Sequence, residues 1–413
     1  MRLKEKFLWV TSEPHRLFFT TGVLFLFSAV FWWVTYLGHK HFHVLPQYSF
    51  DPKELHSFLF IYVALTCYEL GFLLTTFPRW LQREVVPRRK LLLLWVLIPW
   101  GGIVTWTGTK LHLFTMIPGS IMVFLGFLVF AQQLICYLVK STMPDKVQPY
   151  FTLLAVLGGA AGAGAFALYQ WFPESYYLYQ ASLALGVYFY IPLVVVTIAW
   201  RLVPFFTNVL APGAGITSAN WVLPLWALAL AAKTLAALAD QKQWFLLTDS
   251  LFLVVTLVQF YRWRFRFKQP NMLLSYLYIS LAWFPLGALF FVLGSLQAWQ
   301  TGIYPQHWDL AGLHAWAAGG FTGLVLGMST RVTLGHSGRP LVTGKFEDGI
   351  FWLVQAGALW RVGVELGGFY QETLPFFSFV TGFFWCAAFG LWAWRFLPYF
   401  FQPRLDQPGA KPE

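Results

Sequence analysis

Residues 307–341 read HWDLAGLHAWAAGGFTGLVLGMSTRVTLGHSGRPL. An apolar run of this length predicts a helix that crosses a lipid bilayer, because a helix rises about 1.5 Å per residue and the hydrocarbon core is about 30 Å thick. Gly319, Gly323 and Gly327 recur at every fourth position. They form a stripe on which the backbone of another helix can pack closely. The residues from Gly335 onward are polar and predict a loop.

The opposite side of this predicted helix carries two candidate metal ligands. His314 lies roughly opposite the glycine stripe, and a step of about 100° per residue places Met328 within about 40° of it. The two side chains are about 21 Å apart along the helix axis, so they cannot bind one metal ion together. His314 is an ionisable group inside a predicted membrane span, which favours a functional role.

Composition identifies the class of protein. Hydrophobic residues make up 58% of the 413-residue chain and charged residues 11%, a balance that excludes a soluble protein and predicts an integral membrane protein. Cys67, Cys136 and Cys386 lie in apolar runs, so we expect buried thiols and no disulfide framework. The net charge of +11 does not indicate nucleic-acid binding, because the basic residues are distributed as expected for membrane topology.

Apolar runs of spanning length recur about twelve times and predict an all-α bundle of transmembrane helices in a single domain, residues 1–413. The predicted spans are residues 17–37, 57–77, 91–108, 113–138, 150–171, 178–200, 219–239, 244–261, 271–298, 308–330, 349–370 and 375–397. Of the 28 lysines and arginines, 22 lie at the two termini or in even-numbered loops, counting Arg395 at the end of the last span, and four lie in odd-numbered loops. This asymmetry predicts that both termini are cytoplasmic.

Four regions in order along the chain resemble the NnrS family. The run GMSTRVTLGHSGRPL at 327–341 is similar to the family's signature. The others are HSFLF followed by GFLLTTFPRW in the second span, RLVPFFT at 201–207 and YISLAWFPLG at 278–287. The resemblance covers most of the chain.

The NnrS family comprises polytopic bacterial membrane proteins linked to the nitric oxide response and described as containing haem and copper. The resemblance therefore implies a multi-pass protein of the bacterial inner membrane with haem b and copper as cofactors. It also implies nitric oxide or small nitrosyl species as ligand, substrate or signal. The second span of family members often opens with two alternating histidines and an acid, whereas this chain retains His56 and has Glu54 and Ser57 at the other positions.

Histidine is a general ligand of haem iron and copper. His314 lies within the tenth predicted span, and His56 and His112 lie at the entrances of the second and fourth. We predict a metal site formed by His314 and His56 near the outer side of the membrane, and His112 is a further candidate ligand. The alternative is that these histidines form hydrogen bonds across helix interfaces and bind no metal. Residues 39–43, HKHFH, would place three histidines on one face of an extended segment, which either captures copper or is an exposed loop.

Five charged residues fall well inside predicted spans, away from the span ends, where an unpaired charge is costly. Lys233 and Asp249 flank a short hairpin at similar depth and can pair between neighbouring helices. Arg361 and Glu365 are one turn apart and can pair on one helix face, while Glu69 lies alone in its span. Structural pairing, a proton path and an arginine anchor for haem propionates are the open interpretations.

The predicted cytoplasmic loop after the tenth span contains two arginines around glycines. Arg331, His336 and Arg339 could bind an anion together, and Arg201 lies on the same side of the membrane. With Met328 they form the candidate cofactor-binding group. The alternative is a basic turn that only sets the topology.

Three functions remain open from the sequence. The first is a haem and copper protein that binds or turns over nitric oxide or its iron adducts. The second is a secondary transporter that uses the two charge pairs within the spans, and the third is a scaffold without catalytic activity. A respiratory haem–copper oxidase or nitric oxide reductase is set aside, because two haems and a copper need more intramembrane histidines than this chain offers.

Overall fold

The computed structural model describes residues 3–42, 51–111, 116–266, 269–367 and 374–405. Every regular element within these ranges is a helix. The helices are α1 (Leu3–Val10), α2 (Pro14–His41), α3 (Pro52–Trp80), α4 (Arg88–Gly108), α5 (Met116–Lys140), α6 (Val147–Trp171), α7 (Tyr176–Leu210), α8 (Val222–Leu238), α9 (Lys242–Arg262), α10 (Met272–Thr301), α11 (Gln306–His336), α12 (Lys345–Leu366) and α13 (Leu374–Phe400). Proline in the first turn helps to start α2 and α3.

Ten helices in the described part of the chain are long and apolar enough to cross a membrane. Two further helices coincide with predicted spans. Of these, α8 is apolar but has 17 residues, and α12 has 22 residues and carries Arg361 and Glu365. The chain is therefore a multi-pass, all-helical membrane protein.

Two histidine-bearing regions define the ends of the bundle. His56 lies near the start of α3, and we call the end at which α3 and α11 begin the His56 end. At the opposite end the first turn of α2 meets the last residue of α11, where the His15 and His336 rings are 4.1 Å apart. We call this the His15 end.

The three most buried candidate spans, α3, α7 and α11, each contain a π-helical turn. These turns are Leu59–Leu65, Leu185–Tyr190 and Ala315–Phe321. A π-helical turn shifts the direction of the side chains that follow it, and such turns occur frequently at functional sites. The shift also affects the expected angle between His314 and Met328, because the turn in α11 lies between them.

The glycine stripe of α11 packs against α10, as the sequence predicts. A Cβ atom at Gly327 would lie 3.1 Å from the Cβ of Tyr276, and one at Gly319 would meet the ring of Trp283. Gly323 lies between them on the same face and meets α10 as well. A larger residue at these positions would force the two helices apart.

The predicted end of α11 is wrong. The helix does not stop near residue 330 but continues through Gly335 to His336. Gly335 and His336 are therefore helical and do not belong to the predicted loop.

Candidate functional site

His314 is oriented by a hydrogen bond within its own helix. Its Nδ1 lies 2.8 Å from the carbonyl oxygen of Leu310. A carbonyl can only accept a hydrogen bond, so Nδ1 carries the proton and the neutral ring keeps its lone pair on Nε2. This is how metal-binding histidines are commonly held: one ring nitrogen donates to a backbone carbonyl and the other is left for the metal.

His56 is held by aromatic rings. It stacks on Trp33 of α2, with ring centroids 4.2 Å apart, and lies 4.4 Å from the ring of Phe60. Its Nδ1 is buried and has no hydrogen-bond partner in the described part of the chain. A buried polar atom without a partner is costly, and a ligand or metal that satisfied it would remove that cost.

The charge pair of α12 lies beside His314. His56 lies at the same end of the bundle, within electrostatic range of Arg361 and His314. Arg361 pairs with Glu365 and also donates to the hydroxyl of Ser378 at 3.1 Å. Glu365 Oε1 lies 3.6 Å from His314 Nδ1. We call His56, His314, Arg361 and Glu365 the His56–His314 cluster.

The His56–His314 cluster has the donor set that a haem needs. Two imidazoles offer nitrogen ligands for the iron, and a guanidinium matches a propionate carboxylate in a two-pronged hydrogen bond. The described residues contain no group of three or more His, Cys, Asp or Glu side chains that could hold a metal ion, so they do not fit a copper site with three such ligands. His112, the reserve ligand, lies outside the described residues.

Lys233 and Asp249 form a buried ion pair near the His56 end. Lys233 Nζ donates to Asp249 Oδ1 at 2.6 Å, and both side chains are almost fully buried. The ammonium group also lies 3.4 Å from the ring centroid of Phe291 and 4.6 Å from that of Tyr188. Tyr188 donates in turn to Asp309 at 3.1 Å, which links the pair to the start of α11.

Glu69 is not alone, contrary to the sequence prediction. The hydroxyl of Tyr190 donates to Glu69 Oε2 at 2.5 Å and lies 2.9 Å from the hydroxyl of Thr66. Thr66 donates to the carbonyl oxygen of Ile61. Both Tyr190 and Thr66 lie at the ends of π-helical turns, so these turns position the partners of Glu69.

The candidate cofactor-binding residues of the His15 end have different neighbours. His336 packs against His15, whereas Arg331 lies over the ring of Phe206 at 3.8 Å. Arg339 lies 3.5 Å from the ring centroid of a tyrosine in α13, and Arg201 pairs with an acid between α5 and α6. Met328 lines a cavity between α3, α7, α10 and α11.

Comparison with known proteins decides the family. The NnrS protein family matches residues 9–404, which is nearly the whole chain. The chain belongs to the NnrS family. Membership implies a membrane haem and copper protein linked to the nitric oxide response, and it confirms the resemblance seen in the sequence.

The fold of this NnrS-family chain is similar to that of a solved oxidase. A heme-copper terminal oxidase dimer determined by cryo-EM superimposes with a TM-score of 0.69, covering 96% of this chain and 86% of that chain. The sequences are 12% identical, so the likeness concerns the fold alone. None of the curated proteins compared matches the chain.

The first outer histidine segment of this NnrS protein differs from the extended arrangement considered above. His39 and His41 belong to the last turn of α2 and therefore do not share a face, since two residues of a helix span about 200°. The ring of His41 lies 5.1 Å from that of Phe376. His43 lies outside the described residues.

Several residues around these groups were not identified from the sequence. His15 pairs with His336, Tyr190 with Glu69, and Asp309 with Tyr188. The contact of His15 with His336 could have been suspected from the sequence, because the predicted topology places both residues at the cytoplasmic ends of their helices. For the tyrosines there was no such signal, since a tyrosine in an apolar run looks like an ordinary core residue.

Arg339 provides a test of the separate arrangement at the His15 end. It stacks on Tyr399 and donates to Gln402 Oε1 at 3.1 Å, so it joins α11 to the end of α13. Arg339→Lys keeps the charge and loses the planar fork, and we expect a loss of about 0.5–1 kcal/mol in unfolding free energy. Thermal unfolding in detergent measures it. Unchanged stability with lost function would instead support an anion site.

Proposed function

We propose that this NnrS-family protein binds or turns over nitric oxide, or its iron adducts, at a histidine-ligated metal near the periplasmic side of the bacterial inner membrane. The observation that carries the proposal is the His56–His314 cluster. It joins two histidines from different helices to one arginine, and the two histidines are well separated in the sequence. Nitric oxide is small and uncharged, so it can reach such a site through lipid.

Each residue of the cluster has a role in this proposal. The Leu310 carbonyl fixes the His314 ring and leaves Nε2 as the metal-binding atom. Stacking on Trp33 holds the His56 ring as the second ligand. Arg361 binds a haem propionate, and Glu365 keeps the guanidinium in place.

We assign the cofactor as haem b. Family membership implies copper as well, but the described residues offer no site with three His, Cys, Asp or Glu ligands for it. The sequence contains no Cys-x-x-Cys-His motif, so a covalently attached haem is not expected. When bound, haem would supply one-electron chemistry and an iron that reacts with nitric oxide. The chain itself provides the nitrogen ligands, the propionate partner and an apolar surrounding.

The transporter interpretation is not favoured. Four charged residues could have lined a transport path. Lys233 is paired with Asp249, and Arg361 is paired with Glu365, so each charge already has a partner within the protein. Family membership and the oxidase-like fold support a metal protein over a transporter.

The most informative experiment is a measurement of cofactor content. The protein is purified in detergent, reduced-minus-oxidised spectra are recorded, and iron and copper are measured per chain. We expect a b-type spectrum that changes when nitric oxide is added. A preparation that inserts and folds in haem-replete cells but contains no iron would contradict the proposal.

We further propose twelve spans in one domain, with both termini in the cytoplasm. The lysine and arginine asymmetry supports this orientation. A reporter fused after Glu413 should be active only in its cytoplasmic form, and one inserted between α8 and α9 only in its periplasmic form. Periplasmic activity of the C-terminal fusion would reverse the orientation or change the number of spans.

A further inference from the structure

A cavity of about 110 Å³ lies between α3, α7, α10 and α11 and is partly open to the surface of the bundle. Three residues next to π-helical turns line this cavity. Leu65 and Phe321 are the last residues of the turns in α3 and α11, and Ile191 directly follows the turn in α7. The cavity therefore lies on the His15 side of all three turns. Its position links it to the π-helical turns of the three most buried helices.

The wall of the cavity is almost entirely apolar. Its polar side chains are Tyr68, Glu69 and Ser329, among aliphatic and aromatic neighbours. The Ser329 hydroxyl donates to the carbonyl of its own helix at Leu326. Glu69 Oε2 is occupied by Tyr190, and Glu69 Oε1 is buried without a hydrogen-bond partner among the described residues.

This chemistry selects the kind of ligand. A water molecule in a buried site needs roughly two to four polar partners, whereas nearly all of this wall is apolar. Apolar cavities of a similar size, about 150 Å³, stay dry and bind xenon or other small apolar molecules. An ion would lose its hydration without compensation.

We propose that this cavity is a docking chamber for a small uncharged gas. Under the function proposed above, on which this part of the inference rests, the gas is nitric oxide. The chamber holds the gas on the His15 side of the π-helical turns. The His56–His314 cluster lies on the other side of these turns, at the His56 end. Among the described residues that line the chamber, Glu69 contributes a buried carboxylate oxygen, Oε1, without a hydrogen-bond partner.

Xenon tests the chamber without any reference to activity. Crystals of the purified holoprotein are equilibrated with xenon, and anomalous scattering locates the bound atoms. Ala199 is buried and lines the cavity, so Ala199→Phe fills it. Ala161→Phe is the matched control, because Ala161 is exposed on α6. We expect xenon in the unmodified protein and in the control, and its loss in Ala199→Phe.

A second variant tests the proposal if Ala199→Phe fails to fold or insert. Leu324 also lines the cavity, and Leu324→Phe adds less volume than Ala199→Phe. If Ala199→Phe does not insert, reduced xenon occupancy in Leu324→Phe replaces it as the expected result. Absence of xenon from the cavity of the unmodified protein, or unchanged occupancy in both filled variants, would overturn the proposal.

Nitric oxide itself is tested by flash photolysis of the nitrosyl complex. We expect Ala199→Phe to change the fraction of nitric oxide that rebinds before escaping, whereas Ala161→Phe leaves it unchanged. Xenon binding with equal rebinding in all variants would show that the chamber exists but does not serve nitric oxide. Xenon binding in a protein that contains no haem would contradict the proposed function and leave the chamber itself intact.

Discussion

His314→Ala is expected to lose the bound haem. The substitution removes the nitrogen that the Leu310 carbonyl leaves free for the metal. We expect His56→Ala to lose haem or to shift its spectrum, because one of two nitrogen ligands disappears. The readouts are the absorbance spectrum and the iron content of the purified proteins.

Two controls make this result specific. His39 and His307 are exposed histidines at the same end of the bundle, so His39→Ala and His307→Ala should keep the unmodified spectrum. Each variant is also checked for membrane insertion. Retention of unmodified haem and copper in both His314→Ala and His56→Ala would place the ligands elsewhere.

The second large effect is expected on stability, at the buried ion pair of Lys233 and Asp249. Lys233→Met leaves the carboxylate of Asp249 buried without its partner, and we expect a loss of about 3–5 kcal/mol in the free energy of unfolding. Asp249→Leu should have a comparable effect. The double variant Lys233→Met/Asp249→Leu should be more stable than either single variant, since it buries no unpaired charge. Exchanging the two charges should also cost less than removing one.

An exposed pair serves as the matched control. Lys242 Nζ and Asp240 Oδ1 lie 3.9 Å apart where the turn after α8 leads into α9. The side chain of Lys242 is 55% exposed and that of Asp240 is 89% exposed. Lys242→Met should therefore leave unfolding almost unchanged. Unfolding in a denaturing detergent series measures all the variants. A double variant at Lys233 and Asp249 no more stable than the single ones would show that the pair does not act as a unit.

The family and the class of fold could be read from the sequence. Apolar runs set the helices, because each run is long enough to cross the bilayer and satisfies its own backbone hydrogen bonds. The glycine spacing of α11 predicted its packing face, which meets Tyr276 and Trp283 of α10. Lys233 and Asp249 flank a short turn, so local spacing was enough to suggest their contact.

Other features of the candidate site depend on the tertiary structure. The sequence did not predict the partner of Glu69, because Tyr190 lies on another helix and faces it through a π-helical turn. It also placed a loop where α11 continues to His336. The depth of His56 and His314 could be estimated from the sequence, but the contact of His314 with Glu365, the partner of Arg361, required the arrangement of α11 and α12.

The physical reason is the range of the interactions involved. Helix formation and membrane insertion depend on residues close together in the chain, so spacing and composition determine them. Contacts between helices depend on which faces meet, and one π-helical turn changes the face that every later residue presents. The tertiary structure alone therefore decided the neighbours of His314, Glu69 and His336.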